Sequence, residues 1–548
     1  MSGISALDRG KLIGKVTTEQ YDLVIIGGGI TGAGIVLDAA SRGLKVALIE
    51  KSDFASGTSS KSTKLIHGGL RYLKQFEIAL VREVGMERAI VHKLAPHLVK
   101  SEKMLLPLIK DGTYGKILTS LGLMVYDVLA GVEREDQRKM LSKKETLALE
   151  PLLDESVLEG GGLYAEYRTD DARLTTEILK TAAGYGAAIL NYAEAIDFLY
   201  TDGQVSGITW KDHLLGVEHE IKSDYVISAA GPWVDNIRKK DRSLKGKKLH
   251  PTKGVHVVLP REKFPVKQSV YFDVPDGRML FAIPRDRVTY LGTTDTDYDG
   301  NLNDVRTDKV DVEYLLDGAN RAFPDIDLTI EDVESSWAGL RPLIEEEGKS
   351  ASELSRKDEI FESDSGLLSI AGGKLTGYRK MAERIVDKLA KRIRKDKDKK
   401  LSDCKTDEIT LCGGPFADAE DVLKYEKQVT EKITKAGLNA YYGVYLVGNY
   451  GRQTDTVLQY FEQMQEGDPE VKLALAELKF TIEVESVHSV MDFFERRTGR
   501  LYFHIQSIEK LREPVLNKMT EVFAWSEERI KQENGYLDKA IEIASHFN

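Results

Sequence analysis

The sequence predicts an α/β fold of more than one domain, and three observations carry that reading: a strand–turn–helix–strand unit at residues 21–50, a hairpin followed by a returning strand at 196–230, and a second strand–glycine–helix junction at 367–394. The chain has 548 residues, and a single hydrophobic core stops growing at roughly 250–300. Two or three domains are therefore expected.

The first unit justifies itself residue by residue. Tyr21-Asp-Leu-Val-Ile-Ile26 is a short apolar run with β-branched residues, of the kind that makes a buried parallel strand. Gly27, Gly29 and Gly32 follow at once, the pattern is helical from Ile30 to Ser41, and Gly43 stops it. Lys45-Val-Ala-Leu-Ile49 is then a second strand ending on Glu50. Gly27 permits a tight turn, Gly29 lets backbone approach a pyrophosphate, and Gly32 lets the helix lie close on the strand while its N-terminus faces the negative charge. Glu50 can accept from ribose hydroxyls. The unit predicts dinucleotide binding, and by itself it does not choose between NAD and FAD.

Next, Ile196–Tyr200 and Gln204–Trp210 flank the turn Thr201-Asp-Gly203 and predict a hairpin. Tyr225-Val-Ile-Ser-Ala-Ala230 runs into Gly231-Pro-Trp233 as a strand returning to the nucleotide fold. Leu367-Leu-Ser-Ile-Ala371 leads into Gly372-Gly-Lys-Leu-Thr376 and a helix from Tyr378 to about Arg394. A helix N-terminus at that point offers N–H groups and positive dipole to a reduced flavin. Three separate glycine elements favour one long ligand, FAD.

Composition narrows the class. A hydrophobic fraction of 42% with 30% charged residues is that of a globular protein, and the net charge of −11 argues against nucleic acid as a general partner. Cys404 and Cys412 are the only cysteines, too few for a disulfide framework and without metal-ligand spacing. No metal site is expected. No window approaches the ~18–20 continuous apolar residues of a membrane span, and the N-terminus has no signal-like run. The expected place is the cytoplasm, with attachment to the cytoplasmic membrane face as the variant.

Residues 56–73 read SGTSSKSTKLIHGGLRYL, polar and without core periodicity. This stretch, with SAAGPWVD at 228–235, KGVHVVLP at 253–260, LGTTDTDY at 291–298, GLRPL at 339–343 and GGKLTGYRK at 372–380, resembles the FAD-dependent glycerol-3-phosphate dehydrogenases in content and order. The resemblance covers nearly the whole chain. It implies a glutathione-reductase-like FAD-binding Rossmann domain (20–95, 155–250 and 355–395), an antiparallel-sheet substrate domain like that of D-amino-acid oxidase (96–154 and 251–354), and an all-helical C-terminal domain (400–548). It also implies noncovalent FAD, glycerol 3-phosphate as substrate and quinone as electron acceptor.

Candidate site residues follow from that chemistry. A phosphate dianion calls for cations, and the forked guanidinium pairs two oxygens at once. Arg71, Tyr72, Arg356 and Lys374 are the candidates for substrate binding. Oxidising an alcohol calls for a base, and His256, in the predicted strand Lys253–Leu259, is chosen; His67 is the alternate. Arg341 is expected to stabilise the alkoxide as it forms. FAD is expected to contact Gly27, Gly29, Gly32, Glu50, Ser59, Ser60, Thr63, Lys64, His67, Gly231, Gly373, Lys374, Leu375 and Thr376.

Two rivals remain at this stage. An α-glycerophosphate oxidase, which passes electrons to oxygen and yields peroxide, shares every motif; a non-catalytic FAD-binding metabolite sensor would lack the basic positions, yet Arg71, His256, Arg341 and Lys374 are present. Ile117, Leu118, Leu121, Met124, Val125, Val128 and Leu129 share one helical face, read as core-facing or as a membrane anchor. Lys388–Lys400 carries eight basic residues against two acidic ones and reads as a helix end and linker. Homo-oligomer formation is compatible with all of this.

Overall fold

The structure is a computed structural model and describes residues 3–67, 78–110, 112, 138–345, 357–464 and 467–547. The amphipathic segment expected around 117–129 lies outside these residues, as do Arg71, Tyr72 and Arg356.

The first strand, Gln20–Ile26, lies between Glu218–Ser228 and Val46–Ile49, parallel to both. Leu368–Gly372 and Ala188–Leu190 extend the parallel sheet on its two sides, and Asp358–Glu362 closes one edge in antiparallel pairing. Alternate residues of the first strand enter different cores. Leu23 and Ile25 pack with the helices Ile30–Ser41, Asp171–Gly184 and Tyr378–Lys397, whereas Val24 and Ile26 pack with Phe198, Ile208 and Trp210 of the hairpin on the other face. Burial on both faces explains why the run is continuously apolar. The hairpin spans Ala193–Thr201 and Gln204–Asp212, with Asp202 and Gly203 at φ 51° and 78° as a tight two-residue turn requires.

Among the described residues a second sheet has ten strands and is mostly antiparallel. Toward one edge of it Leu249–Pro260 is flanked by Val288–Gly292 and Ser335–Ile344. Leu65–Ile66 and Leu158–Arg168, assigned by the sequence reading to segments of the FAD-binding domain, pair within this second sheet. Local pattern could not show that, because edge pairing is decided by distant partners.

Beyond residue 400 the described elements are helical, from Ala419–Lys435 to Glu527–Ser545. Phe493, Phe494, Leu501 and Phe503 share a core with Val258, Tyr290 and Trp337 of the second sheet. The basic run begins inside the helix Tyr378–Lys397, whose buried face carries Ile385, Val386, Leu389 and Ile393.

Candidate active site

Between the two sheets runs a cleft of about 390 Å³. At one end stands the glycine turn. Gly27 has φ 115°, where a side chain is strained, and a Cβ on Gly32 would collide with the Gly27 carbonyl oxygen. The turn delivers the helix Ile30–Ser41 with its N-terminus toward the cleft, and the Ile30 N–H donates to the Ser59 hydroxyl at 2.9 Å. Glu50 accepts from the N–H groups of Gly28 at 2.7 Å and Ser52 at 3.0 Å. Burial pushes its carboxyl upward, and those two N–H groups oppose the shift. Gly27, Gly29, Glu50, Ser59 and Gly231 all line the cleft.

The segment from Ser56 to His67 crosses between the sheets and is stitched to the second one. Thr58 donates to the Leu340 carbonyl at 2.7 Å, the Trp337 indole N–H donates to the Ser62 carbonyl at 3.1 Å, and the Tyr290 hydroxyl to the Thr63 carbonyl at 3.1 Å. Lys64 turns away from the cleft. Its ammonium, 2% exposed, pairs with Asp171 at 2.5 Å and donates to the Ser60 carbonyl. Ser60 is buried beside it, so both stand behind the wall and support its backbone.

Opposite lies the junction Gly372–Thr376. Gly372 and Gly373 have φ 78° and 80°, and a Cβ on Gly373 would collide with the Met381 sulfur. Gly373, Lys374, Leu375 and Thr376 line the cleft. The Thr376 hydroxyl accepts from the His67 N–H at 3.1 Å and lies 3.2 Å from the His67 carbonyl, fixing that backbone. The His67 ring lies edge-on to Phe281.

His256 and Arg341 approach the same space from adjacent strands. His256 faces Trp337 in the register, and the two rings stack at 4.8 Å with 13° between planes. Its Nε2 is 3.0 Å from the Thr63 hydroxyl, and its Nδ1 has no hydrogen-bond partner among the described residues. On the other strand side Gly292 is its partner, where a Cβ would strike the ring. Burial, then Arg341 and Lys64, hold the imidazole pKa well below its ordinary value, so the ring is neutral at pH 7. Arg341 donates to Asp295 at 3.0 Å, to the Thr293 hydroxyl at 3.0 Å and to the Thr294 carbonyl at 3.1 Å. A neutral imidazole and a fixed guanidinium are thus brought to one wall of the cleft.

The sequence reading missed Trp337, Asp295 and Thr293, which orient the two. Thr293 and Asp295 lie inside the quoted motif at 291–298 and Trp337 two residues before the one at 339–343, but their role follows only from strand register. It also missed the rim, where the Lys51 ammonium lies 3.8 Å over the Trp233 ring and Asn303 accepts from both side chains.

The residues suit FAD: a glycine turn with a helix N-terminus at one end, a second glycine junction at the other, and a cleft joining them. The comparisons agree. Residues 22–379 match the FAD dependent oxidoreductase family, and residues 404–530 match the C-terminal domain of alpha-glycerophosphate oxidase. The fold and site define a flavoprotein oxidoreductase with FAD as cofactor. The chain is 48% identical to the aerobic glycerol-3-phosphate dehydrogenase of Bacillus subtilis (strain 168), covering 98% of each chain, and 48% identical to that of Staphylococcus aureus (strain USA300), covering 100% of this chain and 98% of the relative. The solved glycerol-3-phosphate dehydrogenase from Bacillus halodurans complexed with FAD superposes with a TM-score of 0.84 at 44% identity, over 99% of this chain and 98% of that one. The L-alpha-glycerophosphate oxidase of Mycoplasma pneumoniae, at 20% identity and a TM-score of 0.56 over 71% of this chain and 97% of its own, shares the fold. The chain belongs to the aerobic glycerol-3-phosphate dehydrogenase family.

Proposed function

We propose that this enzyme oxidises sn-glycerol 3-phosphate to dihydroxyacetone phosphate and passes the electrons to membrane quinone. The observation that carries the reading is the pairing of neutral His256 with Arg341 on one cleft wall, in a chain 48% identical to aerobic glycerol-3-phosphate dehydrogenases over its length. FAD, held by the glycine turn at Gly27 and Gly29 and by the junction Gly372–Thr376, would supply the acceptor for the hydride, a proton and two electrons, that leaves C2 of the substrate. His256 removes the C2 hydroxyl proton at Nε2, which exchanges its Thr63 contact for the substrate. Arg341, held by Asp295 and Thr293, stabilises the negative charge developing on that oxygen. Lys374 joins Arg71, Tyr72 and Arg356 in holding the phosphate; the last three lie outside the described residues. His67 keeps its place beside the Gly372–Thr376 junction, which suits packing on the cofactor better than proton removal.

Among the described residues no helix is long and apolar enough to cross a membrane. Quinone is dissolved in lipid, so the reading puts the enzyme at the membrane surface. Lys391, Arg394, Lys395, Lys399 and Lys400, exposed at the end of the helix Tyr378–Lys397 and just past it, support attraction to anionic headgroups.

One observation favours the oxidase: the C-terminal region matches a domain family described from alpha-glycerophosphate oxidase. Purified enzyme given glycerol 3-phosphate, with peroxide and reduction of a soluble quinone analogue followed together, separates the two. Quinone reduction with little peroxide is expected, and rapid stoichiometric peroxide overturns the dehydrogenase reading.

A further inference from the structure

The loop that carries Glu50 to the cleft is held from behind. Glu50 and Phe54 pack directly on Gly28, where a Cβ would come within 2.8 Å of Glu50 Cβ and 2.9 Å of the Phe54 ring. The Ala55 N–H donates to the Gly28 carbonyl at 3.1 Å. Between these contacts stands Asp53, 1% exposed and not part of the cleft lining. Its carboxylate accepts from Arg497 at 2.7 and 2.9 Å, from Arg496 at 2.6 Å and from Asn191 at 3.0 Å. Burial alone would raise its pKa; the two guanidiniums outweigh that and hold it well below the usual carboxylate range.

Both arginines belong to the C-terminal region, on the π-helical turn Asp492–Arg497. Such turns are rare and are frequent at functional sites. The turn is itself fixed: Arg497 donates twice to the Glu485 carbonyl, and the Glu485 carboxylate accepts from Arg173 and Lys180. Asp492 accepts from the Tyr192 hydroxyl at 2.5 Å, next to the cleft residues Ala193 and Glu194. A set of charge-assisted bonds therefore leads from the helical region to Asp53, and the Glu50–Ala55 loop carries it on to Gly28 by packing and a backbone hydrogen bond.

We propose that Asp53 is a positioning residue for the FAD cleft, and that Arg496 and Arg497 of the C-terminal region hold it, so that tight FAD binding depends on side chains that never touch the cofactor. The proposal rests on the FAD reading of the cleft. With the charge on Arg497 gone, the buried Asp53 carboxylate loses two of its four bonds, and the loop Glu50–Ala55 loosens where it supports Gly28. Coupling is reciprocal: FAD steadies the π-helical turn as the turn steadies the FAD site.

The test uses the full-length protein, as wild type, Arg497→Met and Arg497→Lys, stripped of FAD. FAD rebinding is titrated by flavin fluorescence while the melting temperature of the stripped protein is read in parallel. Arg497→Met is expected to weaken FAD at least tenfold, with part of the loss recovered in Arg497→Lys, which keeps the charge without the fork. A change below twofold in a folded variant overturns the proposal. Should Arg497→Met fail to fold, amide hydrogen exchange on the wild type decides: FAD is expected to slow exchange across Asp492–Arg497, and unaltered exchange there overturns the proposal. A stripped wild type that does not rebind FAD overturns the cofactor reading itself, and this inference with it.

Discussion

Two buried polar regions of this molecule lie close together and are built in opposite ways. At the interface with the C-terminal helices three buried carboxylates are each matched by cations: Glu485 with Arg173 and Lys180, Asp53 with Arg496 and Arg497, Glu477 with Arg500. On the cleft wall His256 has one ring nitrogen without a partner among the described residues, and its proton affinity is pushed down by burial and then by Arg341 and Lys64. Saturated charge holds parts together; an unsatisfied, perturbed group in a cleft is the mark of chemistry. The difference teaches where function and stability part.

Substitutions break the comparison in different observables. The largest effect is expected on the cleft side: His256→Ala should lower the rate of flavin reduction by about 10²–10⁴-fold, with substrate affinity little changed, as read by stopped-flow at varied glycerol 3-phosphate. On the interface side Glu485→Gln should cost about 3–5 kcal/mol of stability, because it leaves two buried cations, Arg173 and Lys180, to share the single carboxylate of Glu177. Denaturant unfolding measures that loss, and the turnover of folded, flavin-loaded molecules should stay near wild type.

The same pair can be separated by pH. Arg173 and Lys180 overcome the effect of burial and hold Glu485 at about 2, below the ordinary carboxylate value. Its contribution is present above the unfolded pKa and is lost as pH falls from about 4.5 toward 2, on the order of 3 kcal/mol in all. Glu485→Gln should flatten that part of the stability profile. His256 shifts the other way in consequence: because its pKa lies below 6.5, the base is already neutral at pH 7, and flavin reduction should stay level down to pH 6.5 and fall only in more acid buffer.

The smallest effect is expected from Arg341→Lys. One ammonium keeps the charge but cannot serve Asp295, Thr293 and Thr294 together, and about a tenfold loss in kcat/KM is expected, seen in steady-state assays.

What the sequence made legible was local. The strand at 20–26, its glycines, Glu50 and the hairpin turn at Asp202-Gly203 each depend on neighbours a few residues away, and the quoted motifs led to His256 and Arg341. What it hid was pairing across the chain. Thr63 meets His256 at a separation of 193 residues, and Asp53 meets Arg497 at 444. Lys64 looked like a cofactor ligand because it stands in a polar run, yet Asp171, 107 residues on, draws it behind the wall. The C-terminal region, read as an all-helical domain, carries the arginines that reach Asp53, and no local pattern marks an arginine as buried.

The central claim is that this cleft takes electrons from glycerol 3-phosphate. Anaerobic addition of glycerol 3-phosphate to the purified, flavin-loaded enzyme tests it most directly: the flavin absorption near 450 nm, about the usual maximum of oxidised flavin, should bleach as dihydroxyacetone phosphate forms in equal amount. A spectrum that stays oxidised while the ligand is bound would contradict the account.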